Sequence, residues 1–444
     1  MIVVFILGYT LIALEHPLKL SKSASALMLA VILWVMLAFG GEGVLFDPEA
    51  FRNFFSDQAG RTYADWISHH ELPERLGDIS AIIFFLLGAM TIVELIDAHE
   101  GFRIITDRIR TTRKLKLLWV ISLITFFLSA LLDNLTTSIV MVALLRKLIA
   151  ERRERWFFAG MVIIAANSGG AFSPIGDVTT IMLWIGGQVT TWNIIVKIFI
   201  PSAISMVIPL ALISPSMKGE IRRPDRASGD LRNPTTMAER NIVFFLGVGA
   251  LLFVPLFKEL TGLPPYTGIL GGLGLLWAVT EMLHKRKNEE HRSVVTVAGV
   301  LRRIDTPSVL FFLGILLAVA ALESAGHLAM LAGALDRHVG NLYLINTVIG
   351  ILSAVVDNVP LVAGAIGMYA GAFPTDHYFW EMLAYCAGTG GSILIIGSAA
   401  GVAVMGMEKI DFIWYLKKIS PWALVGYLAG AAAYWGMSMM VFSL

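Results

Sequence analysis

Charge is the scarcest resource in this chain. Only 15% of its 444 residues are Asp, Glu, Lys or Arg, whereas 57% are hydrophobic; soluble domains carry about a quarter charged. Cysteine is nearly missing as well. The one thiol, Cys386, lies in an apolar stretch, which excludes a disulfide framework and any cysteine metal cluster. Long polar stretches are also missing. The longest, roughly 217–240, is too short to bury a core, so no soluble domain is present. Nothing resembles a nucleotide-binding loop, a zinc pair or a nucleophile beside a base, so the chain reads as neither an enzyme nor a nucleic-acid binder and calls for no cofactor.

What is there is apolar sequence in blocks. They fall near 2–14, 24–40, 78–98, 117–145, 156–187, 193–216, 241–257, 262–283, 307–324, 342–370, 379–407 and 420–442. Most match the roughly 20 residues that span about 30 Å of hydrocarbon. The first block is short for a span, which leaves room for a processed segment ahead of it. The block 117–145 is too long for one plain crossing, and basic residues flank both its ends: Arg103, Arg108, Arg110, Arg113, Lys114 and Lys116 before it, Arg146, Lys147, Arg152, Arg153 and Arg155 after it. Lys and Arg collect on the cytoplasmic side of short loops. A re-entrant hairpin turning near Asp133-Asn134 keeps both clusters there. Block 342–370 has basic-poor flanks and turns near Asp357-Asn358, so it is expected to open from the outside. Threaded this way, 28 of the 34 Lys and Arg face inward, and both termini lie outside. The outward set is Arg52, Arg61, Arg75, Lys258 and Arg337, with Lys197 inside a span. Trp34, Trp119, Trp192 and Trp414 suit anchors at the membrane interface.

The halves repeat. Phe84 to Gly88 answers Phe311 to Gly314, and Leu128-Ser129-Ala130-Leu131-Leu132-Asp133-Asn134 answers Leu352-Ser353-Ala354-Val355-Val356-Asp357-Asn358. Asn167-Ser168-Gly169-Gly170 answers Gly388-Thr389-Gly390-Gly391, and Pro174-Ile175-Gly176-Asp177 answers Ile395-Ile396-Gly397-Ser398. Hairpins opening on opposite faces make the repeat inverted, an architecture common among secondary transporters. The expected fold is an all-α polytopic membrane protein. An N-terminal helix (1–23) precedes a first repeat (24–216, hairpin 117–145, broken helix 156–187). A cytoplasmic linker (217–240) leads to a second repeat (241–444, hairpin 342–370, broken helix 379–407).

Two features carry the chemistry. An Asp at membrane depth costs about 2.5–3.5 kcal/mol on insertion scales, so Asp133 and Asp357 point to function. The plainer alternative is local: Asp-Asn makes a good turn and helix cap. The second feature is the pair of broken helices. Three glycines and a proline unwind 167–177, and unwound backbone at membrane depth must line protein or water. Pairing each tip with the broken helix of its own half gives two oxygen clusters. One holds Ser129, Asp133, Asn134, Asn167, Asp177 and Thr179 or Thr180. The other holds Ser353, Asp357, Asn358, Thr389, Ser392 and Ser398. Carboxylate, amide and hydroxyl oxygens select alkali or alkaline-earth cations over transition metals. Glu94, one turn from the end of its block, is a candidate proton relay, with Glu323 its approximate counterpart near an outer end. His99 at the inner mouth is a candidate pH tuner.

Leu131-Leu132-Asp133-Asn134-Leu135-Thr136-Thr137, followed by Gly169 through Asp177, resembles the ion transporter superfamily, which includes arsenite exporters and divalent-anion carriers. Gly88-Ala89-Met90-Thr91-Ile92-Val93-Glu94-Leu95-Ile96-Asp97-Ala98-His99-Glu100-Gly101-Phe102 and Glu15-His16-Pro17-Leu18-Lys19 are similar to NhaD-type Na⁺/H⁺ antiporters. The resemblance implies exchange of Na⁺, and of Li⁺, for H⁺ across a bacterial inner membrane in the service of pH homeostasis. It places Na⁺ on Asp133, Asn134, Asn167, Asp177, Asp357 and Asn358, and it implies a homodimer with a scaffold part and a transport part. The nearest rival is an arsenite or organic-anion carrier of the same superfamily. Carboxylate carriers of this superfamily have neutral hairpin tips; here both tips carry Asp.

Overall fold

The computed structural model describes residues 1–13, 20–40, 62–106, 109, 111–224, 235–285, 295–355, 357–369 and 371–442. Outside them lie the stretch Glu15 to Lys19, the middle of the linker, and the basic residues Arg52, Arg61, Arg108, Arg110, Arg286, Lys287 and Arg292. Val356 of the second tip is outside them too. The described chain is helical, and its single sheet-type pairing is an isolated bridge between Arg113 and Glu220.

The main helices are α1 (Ile2–Ala13), α2 (Lys22–Gly40), α3 (Leu72–Ala98), α4 (Lys114–Leu132), α5 (Asn134–Leu148), α6 (Arg152–Ala171), α7 (Val178–Ile185), α8 (Thr191–Ile213) and α9 (Met237–Thr261). They continue with α10 (Pro265–His284), α11 (Thr306–Ser324), α12 (His327–His338), α13 (Leu342–Leu352), α14 (Asn358–Met368), α15 (Tyr378–Gly390), α16 (Ala399–Glu408), α17 (Phe412–Lys418) and α18 (Ser420–Phe442). Among the described residues, seven helical segments are long and apolar enough to cross a membrane. Local chemistry sets their ends. Thr236 and Glu239 form a capping box at the start of α9, and Gly262 closes it in the left-handed conformation.

The chain divides into two compact units. The first holds Met1–Phe84, Asp305–Ile345 and Val359–Pro374. Here α2 and α11 pack backbone to backbone: a side chain on Gly314 would come within 2.7 Å of the Ala26 carbonyl carbon. Trp34, expected at the membrane interface, is instead buried and donates its indole N–H to the Leu317 carbonyl at 2.9 Å. A buried indole needs a partner, and the neighbouring helix supplies one. Glu71 takes Arg75 Nε at 3.1 Å and the Ser324 hydroxyl at 2.5 Å, while Arg75 also reaches Glu323 at 2.9 Å.

The second unit holds Phe85–Ile304, Asn346–Asn358 and Thr375–Leu444. In it α4 and α5 leave and return to one place. Ile221 N–H donates to Thr112 O at 2.8 Å, just before α4, and Ala150 N–H, just after α5, donates to Arg222 O at 2.9 Å. The break between them is a single residue, Asp133, at φ 88° and ψ 156°. On α8, Trp192 is 75% exposed, with Val196 and Ile200 below it, an apolar face turned outward. Trp119 bonds Ser214 at 3.0 Å, and Trp414 packs on Trp156 and Phe157.

Candidate functional site

The two broken helices pack against α4 and α13 by the same contacts. A Cβ on Gly169 would collide with Phe126 O, and one on Gly390 with Gly350 O. Gly176 lies against Ser129 O, and Gly397 against Ser353 O, each leaving 2.7 Å for a Cβ. Ser129 Oγ donates to Ala166 O at 2.6 Å, and Ser353 Oγ to Ala387 O at 3.0 Å. Residues 221 or 224 apart thus make equivalent contacts, so the glycines are required because backbone lies where a Cβ would go.

The breaks create helix starts, and helix starts carry unpaired amides. Asp177, φ −148°, caps α7 by accepting Thr179 N–H at 2.8 Å. Ser398, φ −142°, caps α16 by accepting Gly401 N–H at 3.2 Å. Asp133 caps α5, taking Thr136 N–H at 2.8 Å and its hydroxyl at 2.7 Å. At 133 the backbone occupies a region comfortable only for glycine, at a cost of about 1–3 kcal/mol.

The side chains then link into one network. Asn134 Nδ2 donates to Asp177 Oδ2 at 2.6 Å and to Asn167 Oδ1 at 3.1 Å. Asn167 Nδ2 donates to Ser398 Oγ at 3.1 Å. Asn358 Nδ2 reaches Asp177 Oδ1 at 3.4 Å, and the Thr179 hydroxyl donates to the same oxygen at 2.7 Å. Asn134, Asn167, Asp177, Thr179, Asn358 and Ser398 are all buried. Where the sequence suggested two clusters, one per half, the structure ties members of both together through Asn167 and Asp177. Asp357 directly precedes Asn358 and is partly exposed. The remaining candidates bond to backbone: Thr180 to Asp177 O, Thr389 to Tyr385 O and Ser392 to Thr389 O.

Glu94 and His99 pair with residues outside this network. Glu94 pairs with Arg303 at 3.8 Å. His99 is fully buried, its Nε2 2.7 Å from His284 Nε2, and Glu239 lies 3.6 Å from the other nitrogen of His284. The sequence singled out His99 but not these partners, which come from distant helices.

Helix N-termini here meet the buried Asp177 on an unwound segment, an arrangement found in secondary transporters with discontinuous helices. Comparison with known proteins places the chain among transporters. The citrate transporter family (CitMHS) matches residues 9–388, and the chain belongs to it, as an NhaD-type member of the ion transporter superfamily. It is 48% identical to sodium/proton antiporter 1 of Arabidopsis thaliana over 98% of this chain and 71% of that protein. It is 47% identical to sodium/proton antiporter 2 of the same plant over 98% of both. The Na(+)/H(+) antiporter NhaD of Alkalimonas amylolytica is 29% identical over 98% of this chain and 89% of its own. The crystal structure of the Alcanivorax borkumensis YdaH transporter shares the fold, with a TM-score of 0.57 at 12% identity, covering 94% of this chain and 98% of that one. The protein is a multi-pass membrane transporter and not an enzyme.

Proposed function

We propose that this protein exchanges Na⁺ for H⁺, that Li⁺ substitutes for Na⁺, and that Asp133 and Asp177 are the carboxylates for which cation and proton compete. One observation carries the choice of a cation over an anion. Helix N-termini are ready anion sites, but here their amides are already taken: Thr136 N–H by Asp133 and Thr179 N–H by Asp177. The side-chain amides of Asn134 and Asn358 are also directed at Asp177. An incoming anion such as citrate finds these donors already occupied and negative charge in the way, whereas a small cation finds oxygens. The family's named substrate is an anion, and the relatives named as sodium/proton antiporters favour the cation reading.

The reading extends to topology. Hairpin 117–145 opens to the cytoplasm and 342–370 to the outside, within two inverted repeats of a bacterial inner-membrane homodimer. Loops assigned to one side do meet one another. Arg146 and Arg155 pair with Glu408, beside Lys409, and Gly187 to Thr190 bond Thr375 and Asp376. The test is proton flux in proteoliposomes carrying a pH dye. Pulses of Na⁺ and of Li⁺ should each move protons outward against the cation, and K⁺ should not. Flux driven by citrate or arsenite, with none driven by Na⁺, would replace the cation with an anion as substrate. Single cysteines at Lys116 and Arg146 should both react only from the cytoplasmic side.

A further inference from the structure

The strongest feature outside the substrate network is a buried carboxylate with three tethered helices. Glu408, the last residue of α16, has a side chain only 1% exposed. Its Oε1 accepts Arg146 Nε of α5 at 2.7 Å, and its Oε2 accepts Arg155 Nε of α6 at 3.0 Å. Its backbone carbonyl accepts Arg152 Nε at 3.0 Å and Trp156 Nε1 at 3.2 Å, and a second Arg146 nitrogen reaches Met407 O. The end of one helix is thereby fixed to the end of α5 and the beginning of α6.

The other ends of the same helices are in the substrate network. Asn134 begins α5, Asn167 lies near the end of α6, and Ser398 caps α16. They are bonded in series, Asn134 to Asn167 and Asn167 to Ser398, each at 3.1 Å. At about 1.5 Å per residue, the path from the carboxylate cluster to the network is about 18 Å along α5, 18 Å along α6 and 15 Å along α16. Three struts of nearly equal length are closed by hydrogen bonds at both ends. Helices are stiff along their axes, so the register of α16 against α5 and α6 at Glu408 sets the position of Ser398 against Asn167.

We propose that Glu408 is a positioning residue of the cation site: it holds Asn134, Asn167 and Ser398 in binding register from the far ends of their helices. The inference rests on the cation-exchange reading above. A glutamate suits the task because its two oxygens each serve one helix, and a carboxylate matches two guanidiniums where an amide offers one acceptor. Arg146 and Arg155 belong to the basic clusters that read as cytoplasmic, so charges that orient the chain also brace its site.

The experiment is Na⁺-driven proton flux by the full-length protein in proteoliposomes, with Glu408→Gln, Arg146→Gln, Ser398→Ala and the double variants. Glu408→Gln is expected to raise the apparent KM for Na⁺ about tenfold, the lower end of the roughly 10–100-fold by which losing a supporting partner weakens a bound metal ion, while the maximal rate stays within about twofold of the unmodified protein. Because part of its effect runs through Ser398, adding Glu408→Gln to Ser398→Ala should raise KM by less than the product of the two single effects. Arg146→Gln, whose side chain is 45% exposed, gives the same reading if Glu408→Gln cannot be purified as a folded protein. An unchanged KM in a folded Glu408→Gln or Arg146→Gln protein overturns the proposal, and so does full multiplicativity with Ser398→Ala. Absence of Na⁺-driven flux in the unmodified protein would instead sink the exchange reading on which it rests.

Discussion

The first broken helix and its counterpart have nearly the same backbone and different chemistry. Both place glycine against a carbonyl of the preceding α4 or α13, and both restart with a capping residue in extended conformation. In the first break the cap is Asp177; in the second it is Ser398. The helix start therefore needs only an acceptor, and a hydroxyl suffices. The negative charge of Asp177 goes beyond what the fold requires, and Asn134, Asn358 and Thr179 converge on it. The comparison separates the cap that Asp177 provides from the cation binding proposed for it.

The largest effect should come from the shared backbone contact. Gly169→Ala and Gly390→Ala each drive a methyl group into a carbonyl oxygen, and each should cost more than about 3 kcal/mol, seen as loss of monodisperse protein in detergent. If one is tolerated, the two breaks are not equivalent. Next in size is the charge. Asp177→Asn keeps an oxygen for the Thr179 amide, so the protein should fold normally while Na⁺-driven proton flux falls to background. Normal flux would return Asp177 to a cap alone. Asp133→Gly tests the same division at the hairpin tip. It relieves a positive φ that costs about 1–3 kcal/mol and removes a cap worth about 1 kcal/mol. Thermal stability should thus hold or rise while exchange is lost. Asp177→Ser should, like Asp177→Asn, lose Na⁺-driven proton flux without unfolding. A smaller effect is expected from the reverse exchange of caps: Ser398→Asp should fold and shift the pH dependence of flux. Smallest is the pair of amides: Asn134→Ala, which loses a 2.6 Å bond to Asp177, should raise KM for Na⁺ more than Asn358→Ala, which loses one of 3.4 Å.

Much of this was legible beforehand because it is local. Hydrophobic blocks of span length gave the helices, and the breaks at 133 and 172–177 follow from an Asp-Asn pair and a glycine- and proline-rich run in otherwise apolar sequence. The sequence pattern does not mark α12 and α17: both are short, and α12 mixes Asp336, Arg337 and two histidines into its apolar pattern. Sequence alone does not place Trp34, because an aromatic within an apolar helix looks the same whether it meets lipid or a neighbouring carbonyl. The buried Glu408 left one trace, as the single acidic residue between Glu381 and Asp411, but nothing local says that two arginines from about 250 residues earlier will enclose it.

By itself, then, the sequence determined a membrane-embedded helical chain with two matching interruptions, because hydrophobicity, glycine and proline act over a turn or two of backbone. Only the tertiary structure decided that the two sets of oxygens join. Asn167 finds Ser398 across 231 residues and Asn358 finds Asp177 across 181. Such pairings come from which helix starts the packing brings together, and no periodicity along the chain records them.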